Sequence, residues 1–281
     1  MRSENAFIGF GEAGMAFAAA AARGYDRKAD AAKRADFETH DVRAEDSAEA
    51  AITGAAAIFC LVTADQALEA ARSGAAYLAP GACWLDMNSV APDTKRAARD
   101  AIEAAGARYI DVAVMAPVDP AGLAVPLLVS GPHAEAGAAI LSEAGFTRVR
   151  IVAGDVGAAS SIKMIRSVMV KGIEALSAEC ALAAHAAGVE AEVIASLDAS
   201  WPGADWARRF DYNLDRMIVH GTRRAAEMDE VTKTLDALGT GSAMTRGTVA
   251  RQRAIGALGV APPDGLAAKV DTILNRKAKA A

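Results

Sequence analysis

Short apolar runs alternate with Ala-rich amphipathic stretches through the first half of the chain, and the short runs stop near Gly157. Asn5–Phe10, Ala56–Val62, Cys83–Asn88, Ala107–Met115, Ala124–Gly131 and Phe146–Ala153 read as strands. Glu12–Arg23, Ala64–Gly74 and Ala91–Gly106 read as helices, since Ala is the strongest helix former. Strands alternating with helices predict a parallel-rich sheet covered on both faces. From Gly157 onward only helical patterns appear, at about 157–187, 189–199, 203–226, 228–238, 242–255 and 264–275. Gly188, Pro202, Gly239–Gly241 and Pro262–Pro263 punctuate them. The pattern predicts an α/β domain over 1–156 and an all-α domain over 157–281, opened by a long linking helix at about 157–187.

Composition narrows the class. The 281 residues are 53% hydrophobic and 23% charged, which is globular, and the net charge of −5 argues against a nucleic-acid binder. The basic end Asn275–Ala280 is expected to be a solvated tail. Cys60, Cys83 and Cys180 are scattered, so no disulfide framework or zinc pattern is expected, which suits a reducing, cytoplasmic setting. His40, His133, His185 and His220 are equally scattered and support no metal site. The opening residues do not read as a signal peptide, and no apolar run is long enough to span a bilayer.

The first chemical motif is Gly9-x-Gly11-x-x-Gly14, directly after a strand and opening a helix. Gly9 permits the tight turn, Gly11 lets the backbone approach a pyrophosphate, and Gly14 lets the helix pack close to the sheet. The expected cofactor contacts are therefore Gly9, Phe10, Gly11, Glu12, Ala13 and Gly14, on a Rossmann-type domain binding NAD or NADP. An acidic residue for the ribose is expected at the end of the second strand. Asp26 is the first candidate, only about 17 positions after Gly9, with Asp30 as a fallback. Arg27 and Lys28 beside it would suit a 2′-phosphate, so NAD and NADP both stay open. The strand-end loop Leu61–Ala67 adds Val62 and Thr63, the latter expected first as a helix cap. The loop Asp86–Asp93 adds Asn88 and Ser89 as hydrogen-bonding candidates for nicotinamide or substrate, or as turn and cap residues before Pro92.

The second motif is the apolar helix Gly157–Leu176, which carries Lys163, Arg166 and Lys171. On a helical wheel Ser160, Lys163, Ser167, Lys171 and Glu174 fall within a wedge about 80° wide. That wedge is either a solvent face or a polar seam. Beside a nicotinamide, a lysine can take a proton from an alcohol or return it to the forming alkoxide. Burial or the neighbouring Lys171 and Arg166 would lower its pKa for that task.

The order of motifs resembles the β-hydroxyacid dehydrogenase family, whose relatives include 3-hydroxyisobutyrate dehydrogenase, 6-phosphogluconate dehydrogenase and the imine reductases. "IGFGEAG" is similar to its cofactor turn, "DMNSVAPD" to its Asp-x-Ser-Thr loop, and "GAASSIKMIRS" to its Gly-x-Gly-x-x-x-Lys-x-x-Asn-Asn helix. "RMIVHGTRRAAEM" (Arg216–Met228) resembles the helical domain of a poorly characterised branch. The resemblance implies Lys163 as the catalytic lysine, Ser89 near substrate and Ser167 in the place of the family's substrate-binding Asn; the shared stripe makes Ser167 and Lys171 candidates for shaping the pocket or tuning that lysine, with Ser160 a substrate candidate on the same wedge. Met115-Ala116-Pro117 replaces the family's Ser-Gly-Gly anchor, and Pro117 has no N–H to give. Arg223, Arg224 or Glu227 replaces the family's later Lys-Asp pair and His220 is a further cleft-lining candidate, against the plainer reading of an exposed basic helix with internal ion pairs.

The expectation is an NAD(P)-dependent oxidoreductase acting on a small alcohol through Lys163, with no nucleic-acid or membrane partner. C=N reduction on the same fold and a dinucleotide-binding sensor without turnover are the rivals. The family's helical domains also imply a homodimer.

Overall fold

The computed structural model describes residues 5–280, with side chains described up to Asn275, so the cations expected at the basic end lie outside the described side chains. Residues up to Met164 form one compact unit and those from Ile165 a second.

The first unit is an eight-stranded sheet. Its strands are β1 (Ala6–Ile8), β2 (Arg23–Tyr25), β3 (Arg43–Ala44), β4 (Ala57–Cys60), β5 (Cys83–Asp86), β6 (Arg108–Val114), β7 (Leu127–Ser130) and β8 (Val149–Ile151). They lie in the order β3-β2-β1-β4-β5-β6-β7-β8. Only the β6–β7 pair is antiparallel. The helices are α1 (Glu12–Ala16), α2 (Ala31–Thr39), α3 (Ala48–Ile52), α4 (Ala67–Ala75), α5 (Pro92–Ala104) and α6 (Ala134–Glu143). Each central strand sends alternate residues to opposite apolar layers. Phe7, Phe59, Leu85, Ile110 and Val129 face one; Ile8, Ile58, Cys60, Trp84 and Tyr109 face the other. The chain reverses its direction of travel across the sheet between β1 and β4, where ligands of doubly wound folds bind.

Two sequence expectations are corrected here. The helix expected over Glu12–Arg23 ends at Ala16, a 3-10 turn covers Ala18–Ala20, and β2 already starts at Arg23. Ala propensity yields to packing: Phe17 and Ala20 are buried, and Gly24 presses on Phe7, where a Cβ would come within 2.9 Å of the Phe7 Cβ. The two helices expected over 203–226 and 228–238 are one.

The second unit is all helix. It holds most of α7 (Ala158–Ala186), then α8 (Glu190–Ser200), α9 (Trp206–Ala237), α10 (Ala243–Gly256) and α11 (Leu266–Ala280). Its core gathers Phe210, Leu214, Met217, Ile255, Val270 and Ile273. Among the described residues no helix is long and apolar enough to cross a membrane, and no cluster of three or more His, Cys, Asp or Glu could hold a metal ion.

His185, in the last turn of α7, ties this unit together. Its Nδ1 lies 2.9 Å from Glu190 Oε2 and its Nε2 3.1 Å from Asp271 Oδ1. The Glu190 hydrogen bond first, and then Asp271, raise its pKa above the ordinary 6.5. A raised folded pKa gives stability that is complete below the unfolded value and lost as pH rises through the folded one. The denaturant midpoint is therefore expected to fall as pH climbs from about 6.5 through that higher value. His185→Gln should flatten the dependence, and an unchanged slope would refute the assignment.

Candidate active site

The glycine turn sits at the switch point between β1 and β4, and its three glycines meet different surroundings. Gly9 has φ +89°, and a Cβ there would lie 2.6 Å from the Leu61 carbonyl oxygen. A Cβ on Gly14 would lie 2.9 Å from the Phe10 ring. A Cβ on Gly11 would meet nothing within 4 Å, and Gly11 and Glu12 are exposed. The N-cap residue Gly11 has no side chain with which to bond the first-turn N–H groups of α1. Ala13 is half-buried behind them. Two glycines thus shape the turn, and the third leaves the backbone open, which is the form a pyrophosphate cradle needs.

Asp26 stands directly after β2 and faces this turn. Its Oδ2 accepts the Phe10 N–H at 2.8 Å and its Oδ1 the Lys28 N–H at 2.9 Å. The short α1 explains how an acid about 17 positions after Gly9 reaches this place. Asp30, the fallback, instead caps α2 by accepting the Lys33 N–H. Arg27 donates to Gln66 Oε1, and Lys33 donates to the Phe10 carbonyl and to Asp36. Val62 and Thr63 follow β4 beside them. The Thr63 side chain makes no cap bond; it bonds the Asp65 carboxylate and, with Gln66, holds that carboxyl below its usual range.

At the next strand ends lies a polar row that the sequence reading missed. Cys60, Asp86, Asp111 and Ser130 pair successively across β4, β5, β6 and β7, so their side chains share one face. Asp86 and Asp111 are fully buried, and so is Lys95, which takes a core position of α5 with Pro92, Ala98 and Ile102. Lys95 Nζ lies 3.0 Å from Asp86 Oδ1 and 3.4 Å from Asp111 Oδ1. It also donates to the Asp86 carbonyl at 2.5 Å and the Val112 carbonyl at 3.5 Å. The Tyr109 hydroxyl donates to Asp86 Oδ2 at 2.6 Å. Burial first, then the two aspartates, push the Tyr109 pKa well above 10, so it stays a neutral donor. Burial and Asp86 likewise push the Cys60 thiol up to about 12. The available signals were an acid inside each apolar strand (Cys83–Asp86, Tyr109–Val114) and a lysine on the apolar stripe of α5.

Asn88, a candidate for nicotinamide or substrate or for a turn, is buried, and its Oδ1 has no hydrogen-bond partner among the described residues. Its Nδ2 donates to Asp86 Oδ1 at 2.8 Å and Cys60 Sγ at 3.3 Å, and its N–H to Asp86 Oδ1 at 3.0 Å. Ser89 is half-buried, and Lys163 Nζ donates to its Oγ at 2.5 Å. The structure thus brings together the two residues that the Asp-x-Ser-Thr-like loop and the lysine helix supplied separately. Gly157 has φ +107°, where any other residue would be strained, and a Cβ there would lie 3.1 Å from Pro92 Cβ.

The other candidates are more dispersed. Ser160 is buried, and its hydroxyl turns back to the Gly157 carbonyl at 3.1 Å. Met115 is half-buried, and Ala116 and Pro117 are exposed after β6. Within the helical unit, Ser167 and Lys171 are buried, and Lys171 Nζ donates to Glu227 Oε2 at 2.6 Å. Arg224 is buried and pairs with Glu174, which also accepts from Gln252 at 2.8 Å. His220 and Arg223 are neighbours on the outer side of α9, 3.4 Å apart. Lys171 and Arg224 are each matched by a carboxylate of the same unit. Arg166, unmatched in the family, is exposed.

An N-terminal doubly wound sheet with an open glycine turn, followed by a helical unit, defines a dinucleotide-binding protein. Residues 4–145 match the family model described as the NAD binding domain of 6-phosphogluconate dehydrogenase, and the chain belongs to that family. Its structural neighbours include a 3-hydroxyisobutyrate dehydrogenase and imine reductases, and its cofactor is NAD or NADP. Residues 184–255 match a domain of unknown function, DUF1932. A crystal structure of a conserved hypothetical protein from Sinorhizobium meliloti 1021 is 36% identical, with 98% of this chain and 97% of that chain covered and a TM-score of 0.74. A conserved protein of unknown function, described as structurally similar to 3-hydroxyacid dehydrogenases, is 25% identical over 97% of this chain and 98% of its own, with a TM-score of 0.68. The 3-hydroxyisobutyrate dehydrogenase of Mycobacterium tuberculosis, solved with L-serine, shares the fold at 18% identity, full coverage of both chains and a TM-score of 0.73. Comparison with curated proteins finds no match.

Proposed function

We propose that the protein interconverts an alcohol and a carbonyl on a small molecule, with Lys163 as general acid/base. The observation that carries this reading is the 2.5 Å hydrogen bond from Lys163 Nζ to Ser89 Oγ, at the strand ends of a dinucleotide-binding sheet. Bound nicotinamide supplies or accepts the hydride. Lys163 takes the proton of the substrate hydroxyl in oxidation and returns it in reduction. Ser89 accepts from Lys163, which leaves its own O–H to donate to the substrate oxygen. Pro117 removes one backbone donor from the loop after β6, which argues against a carboxylate held there by N–H groups alone. The test is a panel of small alcohols with NAD⁺ or NADP⁺, followed by reduced-nicotinamide absorbance and run beside a panel of imines. Turnover on imines alone, or binding without turnover on any compound, would overturn the reading.

We also propose that Gly9–Gly14 hold the dinucleotide and that Asp26 favours NAD(H), since its carboxylate would repel a 2′-phosphate while Arg27 is engaged by Gln66. The melting point is expected to rise more with NADH than with NADPH. Gly11→Val should leave the ligand-free melting point within about 1 kcal/mol of stability, because the position is open, and abolish the shift. A retained shift would exclude the turn as the binding element.

A homodimer is the third proposal. Ile162, Ile165, Met169 and Leu176 are exposed and fall within about 60° on α7, a stripe that water covers poorly. Light scattering is expected to give twice the chain mass, and Met169→Glu to reduce it. A monomeric native protein would refute this.

A further inference from the structure

Asp86 and Asp111 face each other in register on neighbouring strands, both fully buried. Two such carboxylates repel, and neither stays ionised in an apolar layer without a cation or several donors. Each is satisfied toward a different segment. Asp86 accepts the Asn88 N–H and Nδ2, and so fixes the loop that carries Ser89. Asp111 Oδ2 accepts the Gly157 N–H at 3.0 Å and the Ser160 N–H at 3.3 Å, at the positive end of α7. The Ser130 hydroxyl donates to the same oxygen and accepts the Ala159 N–H at 3.0 Å. Lys163 stands one helical turn beyond Ser160. Asp111 Oδ1 accepts no hydrogen bond and faces Lys95 at 3.4 Å. Among the described residues it is Lys95 that pairs with both aspartates and so joins the two anchors, and helix packing alone would put an apolar residue at its place on α5.

We propose that Lys95 is a positioning residue: by tying Asp86 beneath the Ser89 loop to Asp111 beneath the first turn of α7, it sets the Lys163–Ser89 pair. The functional weight of that pair rests on the acid/base reading above, but the contact can be tested without any substrate. Lys163 is labelled with a trace of acetic anhydride across a pH series, and its acetylation is read by peptide mass spectrometry against exposed Lys28 in the same chain. In Lys95→Met the relative reactivity of Lys163 is expected to rise about fivefold, the factor that one net hydrogen bond represents, and its pH profile to move toward that of Lys28. Folding is checked by the thermal transition. The double variant Lys95→Met/Asp111→Asn keeps an acceptor for the α7 N–H groups and leaves a single buried carboxylate. It is expected to regain stability while Lys163 stays reactive, because the tether is still cut. Wild-type reactivity and pH profile in either folded variant would overturn the proposal, with Lys95 then only balancing charge. Should the single variant not fold, the double variant decides by the same measurement. Loss of turnover in Lys163→Ala is a separate result, so failure of the positioning role and failure of the acid/base reading are told apart.

Discussion

Lys163→Ala is expected to lower kcat by about two to four orders of magnitude, the usual contribution of a positioned acid or base. Dinucleotide binding and the melting point should change little, because Lys163 is only half-buried and is not one of the glycine-turn residues. Lys163→Arg separates proton transfer from charge. Arginine keeps the cation and reach but does not give up its proton in the operating range, so it should be nearly as inactive as alanine. Ser89→Ala should cost less, since it removes an orienting donor and leaves the proton carrier. Near-normal turnover in Lys163→Ala, measured under saturating cofactor, would sink the assignment.

Gly256→Val is expected to destabilise the helical unit by about 3 kcal/mol or more. There α9 and α10 meet backbone to backbone. A Cβ on Gly256 would lie 2.3 Å from the Thr222 nitrogen and 2.6 Å from the Gly221 carbonyl carbon. One on Gly221 would lie 2.4 Å from the Gln252 carbonyl oxygen. Neither obstacle is a flexible side chain, so relief requires the helices to part. Ile255, at the same crossing, is fully buried and would be uncovered with them. Gly247→Ala in the same helix is the control: a Cβ there meets nothing within 4 Å, and helix propensity should stabilise by about 1 kcal/mol. Chemical denaturation that placed the two variants at one midpoint would refute the contact.

The parts legible in the sequence were those with strong local signals. The glycine turn follows a strand and opens a helix. The run from Gly157 to Gly188 holds no proline and one isolated glycine, Gly172, and α7 fills it. The strands β4, β5 and β6 are apolar runs bounded by turn residues. What was missed lacks such signals. β2 is Arg-Gly-Tyr and β3 is two residues long, so neither shows a hydrophobic period. α2, α3 and α6 were not assigned, the first two in the polar stretch after Asp26. α9 was divided near Glu227 although neither Glu227 nor Met228 breaks a helix.

The candidate site divides in the same way. Lys163 and Ser89 are legible from motif order, but their contact joins distant parts of the chain. Lys95 was given no role, because only the sheet register and its ion pairs show the two aspartates it serves. Lys171, read as tuning Lys163, and Arg224, read as a substrate candidate, pair with Glu227 and Glu174, partners far enough away in sequence to hide the pairing. Single positions betray residue type; charge balance is a property of the folded neighbourhood.

The turn between β1 and α1 is held by the rest of the protein: Gly9 lies against the Leu61 carbonyl, its N–H bonds the Tyr25 carbonyl at 2.9 Å, and the Phe10 N–H bonds Asp26. A loop shaped by its neighbours needs no ligand to order it. If the turn holds the dinucleotide as proposed, the ligand would meet a preorganised cradle, and little of its binding energy would be diverted to arranging the receptor. Association should then proceed as rigid docking, with a single kinetic phase whose rate rises linearly with dinucleotide concentration.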